Sequence, residues 1–353
     1  MTRGAVLLFG SVVTLLPNAV PSMPPTLRDA ASSRGILVGT SASHTQLAEA
    51  LFANTAKAEF DLLTAENEMK LGQLQPSEGS FNWTPADQIV SFAEANAMRV
   101  RGHSFVWHKP GNGVPPWLIG KSAAQLSEIL DNHITTVAKR YGTRVFAWDV
   151  ANEVFNDDGT LRTSLWYDSP GIGFAGAGYG YVEQAFHWAR AAAPDALLFY
   201  NDYNIEPLNP KSDALYKMCV DFKNRGVPID GVGMQMHRTV TGDLSTLAAN
   251  FKRFTDLGLQ VHITEMDIRI PSRDGCVASA ADLDAQRQRY DEIVNACLGN
   301  SLCTAVQLWG VTDKYTWITG TYPGFGAPLL FDCNYQYKPA YFAVYDRLTD
   351  GGR

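Results

Sequence analysis

Two glutamates in the sequence have the placement that bond-cleaving carboxylates need. Glu153 ends the segment Trp148-Asp149-Val150-Ala151-Asn152-Glu153, and Glu265 lies within Ile263-Thr264-Glu265-Met266-Asp267. Both glutamates follow runs typical of buried strands, which places their carboxyls at strand ends. Two such groups on different strands are what hydrolysis of a glycosidic bond requires, because one protonates the leaving oxygen and the other attacks the anomeric carbon.

The two carboxyls must also differ in charge, because the acid has to be protonated while the nucleophile stays ionised. His237 can donate a hydrogen bond to Glu265 and keep it ionised, and Asp267 can hold His237 in place. Asn152, beside Glu153, can hydrogen-bond a substrate. Four other acidic residues are predicted to be structural: Asp149, Asp202, Glu206 and Asp313.

Other polar and aromatic side chains near run ends suit a sugar ligand. Sugar hydroxyls need donors and acceptors, and the C–H faces of pyranose rings lie well on indole rings. The hydrogen-bonding candidates are Glu66, Asn67, Lys70, His103 and Gln235, with Tyr203 at the end of a further run. The stacking candidates are Trp107, Trp309 and Trp317, whereas Trp83, Trp148, Trp166 and Trp188 are predicted to pack in the core.

Other chemistries fit the sequence less well. His103, His237 and Glu265 can also be interpreted as a metal site, but the ligand cluster typical of metal-binding barrels is missing, so no metal or cofactor is expected. A Gly-x-Ser-x-Gly elbow is absent, which argues against a serine hydrolase. The glycine-rich stretch 171–180 lacks the Lys-Ser/Thr ending of a phosphate loop and is predicted to be a flexible connection.

Eight strand-like runs alternate with helical segments along the chain. The runs are Ile36–Thr40, Leu62–Glu66, Val100–Trp107, Phe146–Asn152, Ala196–Asn201, Gly231–His237, Gln260–Thr264 and Ala305–Trp309. This alternation predicts an α/β fold, a single-domain (β/α)₈ TIM barrel, whose active groups meet at the C-terminal ends of the strands. A doubly wound sheet is the alternative, but Gly39-Thr40-Ser41-Ala42 is not the glycine fingerprint it would carry.

Composition and the first residues of the sequence indicate which partners and which location to expect. The 353 residues carry a net charge of −7 without a basic run, which argues against a nucleic-acid partner. Residues 5–16 are almost wholly apolar and follow Arg3, so residues 1–22 are predicted to be a secretory signal peptide with a short linker, ahead of a catalytic domain at 23–353. An uncleaved anchor or a buried strand is the alternative. A secreted monomer, not attached to a membrane, is expected.

The five cysteines show no zinc-binding spacing. Cys297 and Cys303 are close enough to close a short loop, and a secreted protein favours their oxidation, so they are predicted to form a disulfide. Cys219 is then predicted to be a buried free thiol within a helix. Whether Cys276 and Cys333 also pair stays open at this point.

Six segments in order resemble the motifs of glycoside hydrolase family 10, over roughly residues 27 to 349. They are the two around Glu153 and Glu265, with Ala65-Glu66-Asn67-Glu68-Met69-Lys70, the stretch 101–108 from Arg101 to His108, Gly231-Val232-Gly233-Met234-Gln235-Met236-His237, and Trp309-Gly310-Val311-Thr312-Asp313. The resemblance implies a retaining endo-1,4-β-xylanase that acts on xylan and xylo-oligosaccharides.

The resemblance also implies roles for individual residues. It makes Glu153 the acid/base, Glu265 the nucleophile and His237 the partner of the nucleophile. It places Asn152 and Gln235 near the point of cleavage, and it assigns contacts with the sugars before that point to Glu66, Asn67, Lys70, His103, Trp107, Trp309 and Trp317. Two loops, at 108–117 and 171–180, depart from the family pattern. Another β-1,4-glycan hydrolase, such as a cellulase, and an inactive sugar-binding barrel are the alternatives, and the presence of both glutamates argues against the second.

Overall fold

The computed structural model describes Met1 and residues 26–350, and its centre is a closed parallel barrel. The barrel strands are β1 (Leu37–Ala42), β2 (Leu62–Ala65), β3 (Arg99–Trp107), β4 (Ala147–Asn152), β5 (Leu197–Asp202), β6 (Gly231–Met234), β8 (Gln260–Pro271) and β9 (Cys303–Leu308). Each pairs in parallel with the next, and β9 pairs with β1 to close the ring. The predicted (β/α)₈ barrel is confirmed.

Helices cover the outside of the barrel and connect its strands. They span Ala50–Glu59, Thr84–Ala95, Ala123–Tyr141, Gly180–Ala192, Pro210–Arg225, Leu247–Thr255 and Ala280–Leu298, with Pro339–Thr349 after β9. Single helical turns occur at Leu71–Leu74 and Ile318–Thr321. The helix Ala123–Tyr141 begins where Ser122 and Gln125 cap each other's backbone N–H groups, and it buries Leu126, Leu130 and Ile134 on one face.

Two further helices lie where the sequence pattern predicted none. Leu27–Ser33 precedes β1 and packs against the last helix, Pro339–Thr349. Arg34 Nη1 also donates to the carbonyl oxygen of Asp350 at 2.7 Å. The two ends of the described chain therefore lie side by side.

Two strands differ from their predicted bounds by more than two residues. The predicted strand Gly231–His237 divides into β6 and the short β7 (His237–Thr239), because Met236 has a φ of +65° that an extended strand does not allow. β8 continues beyond Thr264 to Pro271, since it pairs with β7 on one side and with β10 (Phe325–Gly326) on the other. β8 therefore extends beyond the barrel at its C-terminal end.

A buried ion pair fills part of the barrel interior. The guanidinium of Arg101 on β3 pairs with Asp149 on β4, with Nε donating to Oδ2 at 3.1 Å, and its Nη1 contacts His262 Nδ1 at 2.9 Å. Burial raises the pKa of Asp149, but Arg101 and His103 outweigh it and hold that pKa below the usual range. Asp149 is therefore structural, as predicted, and it links the core to His103 above it.

The cysteines form two disulfides. The expected pair Cys297–Cys303 is present, and Cys276 pairs with Cys333, which joins the segment after β8 to the segment after β9. Cys219 is a buried free thiol in the helix Pro210–Arg225, as predicted. Within residues 26–350, no helix combines the length and apolar character needed to cross a bilayer. The predicted signal peptide lies outside the described residues, apart from Met1.

Candidate active site

An open cleft of about 620 Å³ lies over the C-terminal ends of the barrel strands. Eleven of the predicted site residues line it: Lys70, His103, Trp107, Asn152, Glu153, Tyr203, Gln235, His237, Glu265, Trp309 and Trp317. Residues from seven barrel strands or the loops that follow them thus converge, which the barrel fold requires of an active site. The predicted residues outside this lining are Glu66, Asn67 and Asp267.

Glu153 follows the last residue of β4 and turns its carboxyl into the cleft. Its φ of +57° lies in the left-handed region, which costs any residue other than glycine about 1–3 kcal/mol. Trp107 Nε1 donates to one carboxyl oxygen at 2.9 Å and Gln235 Nε2 donates to the other at 3.1 Å. With 15% of its side chain exposed, Glu153 is fixed in direction and still accessible from the cleft.

Glu265 lies on β8 and is more deeply buried, with 6% of its side chain exposed. Asn201 Nδ2 donates to Oε1 at 2.8 Å, and His237 Nε2 lies 3.2 Å from Oε2. Burial raises the pKa of Glu265, but the hydrogen bond from His237 and the nearby His103 outweigh it and hold the pKa below its usual range. Glu265 is therefore an ionised carboxylate at neutral pH.

His237 lies between two carboxylates. Its Nδ1 lies 2.8 Å from Asp267 Oδ2, and its other ring nitrogen faces Glu265. Burial lowers the pKa of His237, but the two carboxylates outweigh it and raise that pKa well above the usual value, so the ring is an imidazolium that donates to both. Trp317 Nε1 also donates to Asp267 Oδ2 at 2.8 Å, which fixes the indole beside the site.

An amide network joins the two glutamates across the floor of the cleft. The side-chain amide of Asn201, which contacts Glu265, lies 2.9 Å from that of Asn152. Gln235, which contacts Glu153, lies 3.2 Å from the same Asn152 amide. All three amides are buried, and Asn152 contacts the other two. The network therefore resists a change in the relative positions of the two carboxyls.

Lys70 lines the cleft beside two tryptophans. Its Nζ donates to Asn67 Oδ1 at 3.0 Å and lies 4.6 Å from the centre of the Trp107 ring and 6.0 Å from that of Trp309. Burial lowers the pKa of Lys70, and the surrounding carboxylates oppose this. Glu66, at the end of β2, accepts from Gln46 at 3.3 Å, and burial raises its pKa to about 7. Asn67 does not line the cleft itself, but it holds the Lys70 side chain that does.

Seven cleft residues were not predicted from the sequence. They are His108, Lys109, Arg162, Asn204, Arg269, Thr321 and Tyr322. Only His108 had a usable indication, since it directly follows Trp107 in a motif segment. The rest lie on loops, on the helical turn Ile318–Thr321 or on the extension of β8, where no periodicity marks them. Two of the seven residues lie beside Glu153: Arg162 Nε donates to its backbone carbonyl oxygen at 3.1 Å, and His108 Nδ1 lies 4.0 Å from its carboxyl.

The alternative interpretation as a metal site does not fit the geometry. His103 Nδ1 lies 2.9 Å from Asp149, and both ring nitrogens of His237 face carboxylates. In residues 26–350, no group of three or more His, Cys, Asp or Glu side chains is arranged to hold a metal ion. The site instead holds an ionised carboxylate, Glu265, and a second carboxyl, Glu153, whose orientation is fixed by hydrogen bonds. Two such groups in an open cleft are what displacement at an anomeric carbon requires.

The other acidic residues have structural partners, as predicted. Asp202 pairs with Lys211 at 2.9 Å, and Asp313 pairs with Lys338 at the same distance. Glu206 Oε1 accepts from the backbone N–H of Met236 at 2.9 Å, which supports the turn after β6.

Comparison with known proteins agrees with this geometry. The model of the family described as "Glycosyl hydrolase family 10" matches residues 26–347. Endo-1,4-beta-xylanase B of Thermotoga neapolitana is 42% identical over 302 residues, which cover 85% of this chain and 84% of that protein. The crystal structure of native xylanase 10B from Thermotoga maritima superposes with a TM-score of 0.85 at 41% identity and covers 92% of this chain and 98% of its own. Xylanase 10B from Thermotoga petrophila RKU-1, solved in complex with xylobiose, gives a TM-score of 0.86 at 40% identity, with the same coverage. The chain belongs to glycosyl hydrolase family 10.

Proposed function

We propose that the chain is an endo-1,4-β-xylanase that cleaves internal bonds of xylan with retention, using Glu265 as nucleophile and Glu153 as acid/base. The observation that carries the proposal is the unlike setting of the two carboxyls in one cleft. Glu265 is held ionised by His237, whereas Glu153 is more exposed and is directed by neutral donors, Trp107 and Gln235. Relatives named as xylanases, one of them with xylobiose bound, support xylan as the substrate.

The reaction is a double displacement. Glu265 attacks the anomeric carbon while the Glu153 carboxyl gives its proton to the leaving oxygen, which breaks the glycosidic bond and leaves a covalent glycosyl-enzyme. The ionised Glu153 then takes a proton from water, whose oxygen attacks the same carbon and releases Glu265. His237 keeps the nucleophile charged before the first step, and the amide of Asn152 lies between the two glutamates, within reach of a bound sugar.

Sugars on the two sides of the scissile bond meet different surfaces. On one side Lys70, with Asn67 and Glu66 beside it, offers donors and acceptors to hydroxyls, and Trp309 offers a stacking face. On the other side Tyr203 lies beside Glu153, because Arg162 binds both the Tyr203 hydroxyl at 2.9 Å and the Glu153 backbone. An open cleft with contacts on both sides suits cleavage within a chain. We further propose that residues 1–22 direct secretion and that the catalytic domain, residues 23–353, works as a monomer.

The test compares substrates and follows stereochemistry. The purified protein is incubated with unsubstituted xylan and, separately, with carboxymethylcellulose, and newly formed reducing ends are measured. The anomer formed first is identified by proton NMR before mutarotation. We expect rapid release of ends from xylan, a much slower reaction with the cellulose derivative, and the β-anomer as first product. Faster cleavage of the cellulose derivative would identify a cellulase, an α-anomer would exclude retention, and no release from either would indicate a sugar-binding barrel.

A further inference from the structure

The strained backbone at Glu153 is held from three directions. Its N–H donates to the carbonyl oxygen of Asn201 at 2.9 Å, and its carbonyl oxygen accepts from Arg162. The third contact is made by the next residue, because the N–H of Val154 donates to the hydroxyl of Tyr200 at 3.1 Å. A left-handed glutamate persists only where its surroundings fix it, so each of these contacts bears on where the carboxyl points.

The Tyr200 hydroxyl has one fixed orientation. It donates to Asp202 Oδ2 at 2.5 Å, so its lone pair is left facing Val154. Asp202 in turn accepts from the N–H of Tyr203 at 2.9 Å and pairs with Lys211 at 2.9 Å. Tyr200, Asp202 and Lys211 are all fully buried, so water cannot replace any of these partners.

These contacts form a continuous path of hydrogen bonds and an ion pair from Lys211 to Glu153. Lys211 fixes Asp202, Asp202 orients the Tyr200 hydroxyl, and that hydroxyl holds the backbone N–H next to Glu153. None of these three side chains lines the cleft. Tyr200 therefore acts on the reaction through the backbone that it holds beside Glu153, not by contact with a substrate.

We propose that Tyr200, oriented by Asp202 and Lys211, is a positioning residue that holds the backbone at Glu153 and so directs its carboxyl at the glycosidic oxygen. The inference rests on the acid/base role proposed for Glu153. Loss of the hydroxyl frees the Val154 N–H and lets the turn relax. Proton donation to a poor leaving group then suffers, while attack by Glu265 is unaffected.

The experiment compares two leaving groups in the variant Tyr200→Phe, which keeps the ring packed against Phe155. We expect kcat/KM for xylan to fall about 10- to 100-fold, a part of the full general-acid contribution of about 10²–10⁴-fold. For 2,4-dinitrophenyl β-xylobioside, whose leaving group needs no proton, we expect a fall of less than about threefold. The control is Tyr141→Phe, which also removes a buried hydroxyl that donates to a carboxylate, Asp87 at 3.1 Å, and should change neither value.

Two further variants keep the outcome decisive. Glu153→Ala sets the scale, and if it loses equal factors on both substrates, the acid/base role itself is wrong. Should Tyr200→Phe fail to fold, Asp202→Asn replaces it, because the amide keeps one acceptor and should give a smaller loss of the same kind. If Glu153→Ala discriminates between the substrates but the positioning variant loses equally on both, or loses nothing on xylan, the positioning role is refuted.

Discussion

Replacing His237 by asparagine should move the acid limb of the pH profile to higher pH. In the structure, the imidazolium of His237 donates to Glu265 and is the main group that lowers the pKa of that carboxyl against the effect of burial. Asparagine carries no charge and a shorter side chain. With the imidazolium gone, burial acts with less opposition, so the pKa of Glu265 rises and a higher pH is needed to ionise the nucleophile.

The size of the shift follows from the contact that is lost. A hydrogen bond to a charged group contributes about 1.5–3 kcal/mol, and one pKa unit corresponds to about 1.4 kcal/mol. The pKa of Glu265 should therefore rise by about one to two units. Asn201 still donates to the carboxylate at 2.8 Å, so the nucleophile is not left without partners.

The assay is kcat/KM for 2,4-dinitrophenyl β-xylobioside as a function of pH, since this quantity reports ionisation in the free enzyme. Because the 2,4-dinitrophenyl leaving group needs no proton, the acid limb of this pH profile reports the ionisation of Glu265. His187→Asn is the control, because His187 lies on the outer helix Gly180–Ala192 with 49% of its side chain exposed. If the acid limb of a folded His237→Asn variant stays in place or moves to lower pH, this account of how Glu265 is kept ionised is wrong.

Three further predictions concern the two glutamates, metals and the longer disulfide. Glu265→Ala should abolish cleavage of xylan and of activated aryl glycosides alike. Glu153→Ala should lose about 10²–10⁴-fold in kcat/KM on xylan but retain most of its kcat/KM on activated substrates. The measurement for both variants is the steady-state rate as a function of leaving-group pKa. Exhaustive chelation should leave the rate of xylan cleavage unchanged, and a loss that a divalent ion restores would contradict the two-carboxylate mechanism. Cys276→Ser with Cys333→Ser should lower the free energy of unfolding by up to about 4 kcal/mol, because the disulfide spans 57 residues, and an unchanged denaturation midpoint would refute this.

The order of strands and helices could be predicted because parallel strands buried on both faces leave short apolar runs between helical periods. The strand ends were harder, since they depend on partners distant in sequence. Met236 adopts a positive φ with its N–H held by Glu206, and β8 is long because β7 and β10 pair with its extension. Neither contact leaves a local pattern in the sequence.

The candidate site was predictable to a similar extent. The glutamates and their histidine and amide partners directly follow strand runs, so the barrel fold alone predicts that they meet. Arg162, Arg269 and Tyr322 lie on loops or extensions whose paths are set by tertiary packing, and they were missed. The pairing of Cys276 with Cys333 was likewise undecidable, because residues 57 positions apart meet only when the segments after β8 and β9 are in place.

The contact between the helices Leu27–Ser33 and Pro339–Thr349 bears on how the chain can be rearranged. Because Leu27–Ser33 packs on Pro339–Thr349, and Arg34 is bonded to Asp350, a short linker can join residues 26 and 350 without crossing the cleft. New termini can then be opened at the exposed turn near Gly226, between the helix Pro210–Arg225 and β6, at the rim opposite the cleft. Such a circular permutant should keep every cleft loop intact and offer different attachment points for immobilising the enzyme or fusing it to a partner.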